Sequence, residues 1–368
     1  MLIYEHSNQE KGKENINTEK NTLLPWSEKY RPNSINNILY HDKIKISIEN
    51  YMKNKKLPHL LFYGPPGTGK TSTMIAYAKH YYNEDYHNMT LVLNASEERG
   101  IETVRTRIKQ FVISSGLREN INTPPFKLII LDEIDAMTED AQAILRKVIE
   151  KYVNNARFCF ICNYLKKINP AIQSRCVIFR FNPISYDIMY KFSINICENE
   201  NIRIKKRALD LVIKKSNGDL RKLLNHLQSL YMHNYHLIDN IKEKPKNNLE
   251  EEKIYILIDE KSVSRILACP TEKAIQDILK YIKKNKLNES IKYLTDLIEI
   301  KDISLLELIN YIYEYCMDNL INKTNTIDYS KEKIVSIIKD LATINENLTY
   351  CNNENIQLIS LLSIFYKS

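Results

Sequence analysis

The run Gly64-Pro-Pro-Gly-Thr-Gly-Lys-Thr71 constrains this chain more than any other feature. It matches G-x-x-x-x-G-K-[ST]. It follows the apolar stretch Leu60-Leu-Phe-Tyr63 and precedes a helical pattern from Thr71 to Tyr82, the strand-loop-helix setting in which such a loop wraps phosphate. Gly64, Gly67 and Gly69 are three of only seven glycines in the chain. They let the backbone curl so that successive N–H groups and the helix N-terminus donate to phosphate oxygens. Lys70 is expected at the β- and γ-phosphates and the Thr71 hydroxyl on Mg²⁺, with Pro65, Pro66, Thr68 and Ser72 completing the loop. A plain glycine-rich turn is the alternative, and the flanking strand and helix argue against it.

Other short apolar runs accompany this one. Leu91-Val-Leu93, Leu128-Ile-Ile-Leu131 and Phe158-Cys-Phe-Ile-Cys162 carry few charges, as parallel strands covered on both faces do. Between them, segments such as Thr138 to Tyr152 show helical spacing, which predicts an α/β domain with a mainly parallel sheet. The run Leu128 to Leu131 ends in Asp132-Glu133-Ile134-Asp135. A carboxylate at that strand end, downstream of a phosphate loop, is positioned for magnesium, so Asp132 is assigned to the metal and Glu133 to polarising an attacking water. A helix N-cap reading suits Asp135 and leaves Glu133 unexplained. Neither G-x-S-x-G nor H-E-x-x-H occurs, so ATP hydrolysis leads over ester or zinc-dependent hydrolysis.

Composition sets the outer bounds. With 368 residues, 43% hydrophobic and 27% charged, the chain is expected to be globular and to hold more than one domain. The net charge of +8 permits nucleic-acid contact without requiring it. The N-terminal stretch lacks an apolar core of the signal-peptide kind, and no apolar run approaches the ~20 residues of a membrane span, so no membrane association is expected. Cys159 and Cys162 sit inside an apolar run with no second pair at ligand spacing, which favours a core strand over zinc and a reducing, intracellular compartment.

After Asn182-Pro183 the pattern turns helical. Helices are expected at Tyr186 to Asn199, Lys205 to Lys215 and Asp219 to Tyr231, followed by a charged, Pro245-containing stretch from Asp239 to Glu252. Further on, Ala274, Ile275, Ile278, Leu279 and Ile282 form one apolar stripe, and Ser304 with Glu307 makes a capping-box pattern. The expected organisation is a polar, disordered extension over 1–22, a phosphate-loop domain over 23–182, and a small helical domain over 183–236. A charged linker over 237–253 and a helical bundle over 254–368 complete it.

Several boxes resemble those of replication factor C small subunits, clamp-loader members of the AAA+ ATPases. They are Glu28-Lys-Tyr-Arg-Pro32, Leu57-Pro-His-Leu-Leu61, Gly64 to Ser72, Asn94-Ala-Ser96, Leu131-Asp-Glu133, Ser174-Arg-Cys176 and Gly218-Asp-Leu-Arg221. They run in family order over about residues 25 to 230. Arg157 to Tyr164 and Ile172 to Cys176 most resemble the branch called subunit five in the human scheme and subunit three in the yeast scheme. The resemblance implies an AAA+ core, a helical lid and an all-helical collar. It implies Tyr30, Arg31 and Pro32 beside adenine and ribose, Asn163 as a first sensor near the γ-phosphate, and Arg221 as a second sensor in the lid. It also implies that Arg175 reaches, in trans, the ATP of a neighbouring subunit. Without these boxes a lone arginine would read as a surface salt bridge.

The same resemblance implies ATP and Mg²⁺ as ligands, four other replication factor C subunits, a sliding clamp and primer-template DNA as partners, and nuclear localisation. DNA contacts would come from Arg99, Arg105, Arg146 or Lys147, residues that a solvated helix face would also carry. Arg99 would further hold Glu133 in an unproductive pose until phosphate drew it away. The chain departs from the family at Glu97-Glu98, where two aspartates are usual, and at Ile134, where alanine is usual and the added bulk bears on hydrolysis rate. Two alternatives stand beside the loader: a structural protomer that binds ATP with little turnover, and a self-assembling branch-migration helicase motor.

Overall fold

A computed structural model describes residues 24–38, 41–96, 101–114, 124–242, 256–268, 270, 272–284, 286–301, 303–322, 330–350 and 353–366. The expected disordered extension, Arg99 with its two preceding glutamates, and most of the charged insertion lie outside them. The chain divides into two compact units, one of Met1–Glu200 with Val212–Gln228, the other of Asn201–Leu211 with Ser229–Ser368.

The first unit is built on a five-stranded parallel sheet of β1 (His59–Tyr63), β2 (Thr90–Asn94), β3 (Lys127–Asp132), β4 (Ala156–Cys162) and β5 (Cys176–Arg180), in the order β2-β3-β4-β1-β5. Three of the apolar runs that predicted strands are interior, Leu60 to Phe62, Leu128 to Leu131 and Phe158 to Cys162, and all are buried; the fourth, Leu91 to Leu93, forms the edge strand β2. Helices on the faces explain the lack of alternation. Helix Lys70–Tyr82 buries Met74, Ala76, Tyr77 and Ala78, and helix Glu139–Tyr152 buries Leu145, Val148 and Ile149. The latter starts where Thr138 Oγ1 accepts from Ala141 N, an N-cap of the kind threonine favours. Strand β5 was absent from the sequence expectation. It forms an edge, with Ile178 39% exposed, so its apolar signal is weak.

Cys159 and Cys162 are buried thiols of β4, and burial pushes that of Cys162 up to about 12. Core packing, as expected, accounts for both. Among the described residues, no helix is long and apolar enough to cross a membrane.

The second unit is largely helical, but it also holds a short parallel pair, β6 (Ile202–Ile204) with β7 (Ile256–Ile258), which the sequence reading missed. Its helices include Glu260–Ile266, Glu272–Lys284, Leu287–Lys301, Leu305–Asn322, Lys331–Tyr350 and Glu354–Tyr366. Of the expected stripe, Ile275, Ile278, Leu279 and Ile282 join one core with Leu294, Leu308 and Leu361, while Ala274 is half-buried and outside that cluster. Ser304 Oγ accepts from Glu307 N at 3.2 Å, the first half of the capping box.

Helix Leu220–Lys242 runs past the expected start of the charged linker. No glycine or proline falls between Leu220 and Lys242 to interrupt it.

Candidate nucleotide-binding site

Parallel pairing brings the sequence-predicted residues to one edge of the sheet. Tyr63 lies opposite Cys162, and Leu131 opposite Phe160, so Gly64, Asp132 and Asn163 all leave the carboxyl ends of neighbouring strands. That edge is where open α/β sheets bind ligands. The loop follows from its residues: Gly67 and Gly69 adopt φ of 67° and 84°, a region costly for side-chain-bearing residues. Gly67 also permits close packing, since a Cβ there would lie 1.6 Å from Asp219 Oδ1. Leu220 N donates to Gly67 O at 3.1 Å, while Asp219 Oδ1 accepts from Arg221 N and Lys222 N. The phosphate loop is thereby tied to the start of helix Leu220–Lys242.

Lys70 Nζ donates to Gly64 O and Pro65 O at 2.8 Å each and to Asn163 Oδ1 at 3.0 Å. The loop carbonyls thus hold the ammonium group beside the first expected sensor. Burial lowers its pKa, and the nearby charge of Asp132 opposes that shift. Thr71 Oγ1 donates to Asp132 Oδ2 at 2.6 Å, placing together the hydroxyl and carboxylate expected to share magnesium. Both are hard oxygen donors of the kind Mg²⁺ takes, so the residues fit that ion. Thr68 Oγ1 closes the turn on Pro65 O.

Glu133 has a left-handed backbone, φ 56°, and an exposed side chain. Together with Lys70, Thr71, Asp132, Asn163 and Arg221 it lines a cavity of about 120 Å³. Asp135 caps backbone at the sensor: its Oδ2 accepts from Asn163 N at 3.1 Å and Tyr164 N at 3.2 Å. Ile134 turns the other way, fully buried with Leu131, Leu145 and Ile172, and it does not line the cavity.

A second cavity of about 70 Å³ adjoins the first, sharing Gly67, Gly69, Ser72 and Arg221. Tyr30, Arg31 and Pro32, which the resemblance sets beside adenine and ribose, line it. So do Ile188, Phe192, Leu220 and Leu224, which sequence reasoning missed because they look like ordinary core positions of amphipathic helices. Arg31 Nε donates to Ser72 Oγ at 3.2 Å. Tyr30 Oη and Lys29 Nζ both donate to Glu200 Oε1 at 2.5 Å. Burial and the bond to Glu200 push the Tyr30 phenol far above its usual range. One cavity is polar and carries both signs of charge, Lys70 and Arg221 beside Asp132 and Glu133; the other is partly apolar. Triphosphate and base need that pairing.

The remaining predicted residues sit elsewhere. Arg175 precedes β5, whose Cys176 pairs with His59 at the start of β1, whereas the phosphate loop leaves the end of β1. At about 3.3 Å per residue, the length of β1 separates Arg175 from the loop of its own chain. Its Nη2 lies 2.6 Å from Glu150 Oε1. Arg105 and Lys147 line a groove of about 390 Å³ with Lys109 and Lys151, and Arg146 lies outside its lining. Arg105 also pairs with Glu102 at 3.4 Å.

Comparison with known proteins gives matches along most of the chain. The model of the ATPase family associated with various cellular activities matches residues 60–184, that of the RCF1/5-like AAA+ ATPase lid domain residues 194–232, and that of the replication factor C C-terminal domain residues 270–363. A probable replication factor C subunit 5 of Dictyostelium discoideum is 38% identical over 97% of this chain and 95% of its own length. Replication factor C subunit 5 of Homo sapiens is 36% identical over 93% and 91%, and subunit 3 of Saccharomyces cerevisiae 36% over 91% and 90%. Among solved structures, the Thermotoga maritima RuvB Holliday junction branch migration motor aligns over 72% of this chain and 85% of its own at 16% identity, with a TM-score of 0.47. That likeness is too distant to carry an argument.

Proposed function

Because this chain belongs to the replication factor C subunit family, we propose that it is an ATP-hydrolysing subunit of a five-membered clamp loader, which places a sliding clamp on primer-template DNA. The observation that carries its ATPase role is the adjoining pair of cavities, one holding Lys70, Asn163 and the Thr71–Asp132 pair, the other bounded by Tyr30, Arg31, Pro32 and Phe192.

Each residue then has a task. The loop N–H groups and Lys70 hold the β- and γ-phosphates, with Lys70 exchanging its carbonyl partners for phosphate oxygens. Thr71 and Asp132 hold Mg²⁺, which when bound spreads the negative charge of the β- and γ-oxygens. Glu133 orients and polarises the attacking water. Asn163, fixed by Asp135, senses the γ-phosphate, and Arg221 couples the helix that follows Asp219 to the nucleotide. Arg175 acts on the ATP of an adjoining subunit, since the length of β1 lies between it and its own loop. The four partner subunits, the clamp, DNA and a nuclear location belong to the same proposal.

The test is an assembled complex in which this chain alone keeps a working phosphate loop. Hydrolysis there, lost on Glu133→Gln with ATP binding retained, is the expected result. No turnover with the wild-type chain would leave an ATP-binding structural protomer.

A further inference from the structure

The carboxylate that holds Arg175 also faces a second arginine. Glu150 occupies the last turn of helix Glu139–Tyr152, and its Oε1 lies 2.6 Å from Arg175 Nη2 and 3.6 Å from Arg146 Nε. The first contact is a short, charge-assisted hydrogen bond; the second is an ion pair beyond hydrogen-bond length. Arg175 Nη1 donates to Ala171 O at 2.7 Å, with Ser174 Oγ at 3.5 Å. The guanidinium is therefore gripped at both terminal nitrogens, by a carboxylate from one helix and a carbonyl from the turn Pro170–Gln173. Its side chain remains 37% exposed. An arginine carries five N–H donors, and these contacts use only part of them.

An exposed arginine without such a grip samples many rotamers, and the freedom it loses on meeting a phosphate weakens its effect on the transition state. A group already fixed in orientation avoids that loss. Arg146, one turn before Glu150 on the same helix, in turn restrains the carboxylate.

We propose that Glu150 is the positioning residue for Arg175: it fixes the guanidinium in the pose presented to the nucleotide of an adjoining subunit, and touches no nucleotide itself. This rests on the trans role of Arg175 proposed above. Glu150 is 44% exposed, so its replacement leaves the core intact.

The experiment uses the assembled complex with only the adjoining subunit's phosphate loop intact. Turnover and ATP affinity are measured for Glu150→Gln, Glu150→Asp, Arg175→Ala and the double variant Glu150→Gln/Arg175→Ala. Glu150→Gln should lower kcat at the neighbour about tenfold with ATP affinity unchanged, and Glu150→Asp, which keeps the charge, should recover part of it. The double variant should match Arg175→Ala alone, because a positioning residue has nothing to act on once its arginine is gone. If Arg175→Ala lowers turnover while Glu150→Gln does not, or if the two losses multiply, the positioning role is overturned with the trans role standing. If Arg175→Ala leaves the neighbour unchanged, both fall together.

Discussion

Lys70 shows how far single residues were legible. Its motif position predicted a phosphate-facing ammonium, and the structure places it against Gly64 O, Pro65 O and Asn163 Oδ1. Lys70→Ala should weaken ATP binding about 100-fold, the loss of charged hydrogen bonds worth roughly 2–3 kcal/mol, while the fold survives. Calorimetric titration checks it, and the emission of Trp26, the single tryptophan, which is buried, reports retention of fold. Asp135 was less legible. Its residue type suggested a cap for the segment after it, whereas it caps the backbone of Asn163 and Tyr164, distant in sequence and adjacent only through sheet pairing.

His59 was read only as one residue of the box Leu57 to Leu61. Its Nδ1 accepts from Phe158 N at 3.2 Å, and burial, aided by the charge of Arg157, holds its pKa down to about 4. The unfolded chain therefore takes up this proton first. Stability from neutral His59 is complete above about pH 6.5 and drains away as pH falls toward 4. Between pH 7 and 5 the wild type should lose about 1–2 kcal/mol more than His59→Gln. Urea unfolding followed at Trp26 measures the difference.

At the scale of elements, the interior strands, the edge strand β2 with its Leu91-Val-Leu93 run, and the amphipathic helices were readable, and β5, β6 and β7 were not. β1, β3 and β4 announce themselves as unbroken apolar runs, because both faces are buried. β5 carries a half-exposed pattern, and β6 and β7 hold three residues each, too few for any period to show. Only pairing across the chain makes them strands. The join between the phosphate loop and helix Leu220–Lys242 was likewise hidden, although Gly67 and Asp219 were each read as parts of boxes. Gly67→Ala should drive a methyl into Asp219 and hold a strained backbone, costing roughly 1–3 kcal/mol and more than tenfold in ATP affinity. Asp219→Ala in the same chain should recover part of that loss. Additive losses in thermal unfolding and ATP titration would argue against the contact.

For the whole molecule, the prediction that separates a loader subunit from a self-assembling motor is the state of the isolated chain. Light scattering should find no closed ring of this chain alone, and a ring only with its partners. A second expectation concerns the groove of Arg105, Lys109, Lys147 and Lys151. Within the complex, Lys147→Ala should weaken DNA binding alike for all sequences and reduce the salt slope by about one counterion.

The strand order has a further consequence, which belongs to time. β1 delivers the phosphate loop, yet both of its partners, β4 and β5, are made after it. A ribosome adding about 5–20 residues per second needs on the order of ten seconds to travel from Tyr63 to Arg180. For most of that interval, until Cys162 has been added, β1 has no neighbour to pair with, although four of its five residues are buried in the finished sheet. The nascent chain is then at its most exposed to chaperones and to aggregation, long before the helical C-terminal unit has been synthesised.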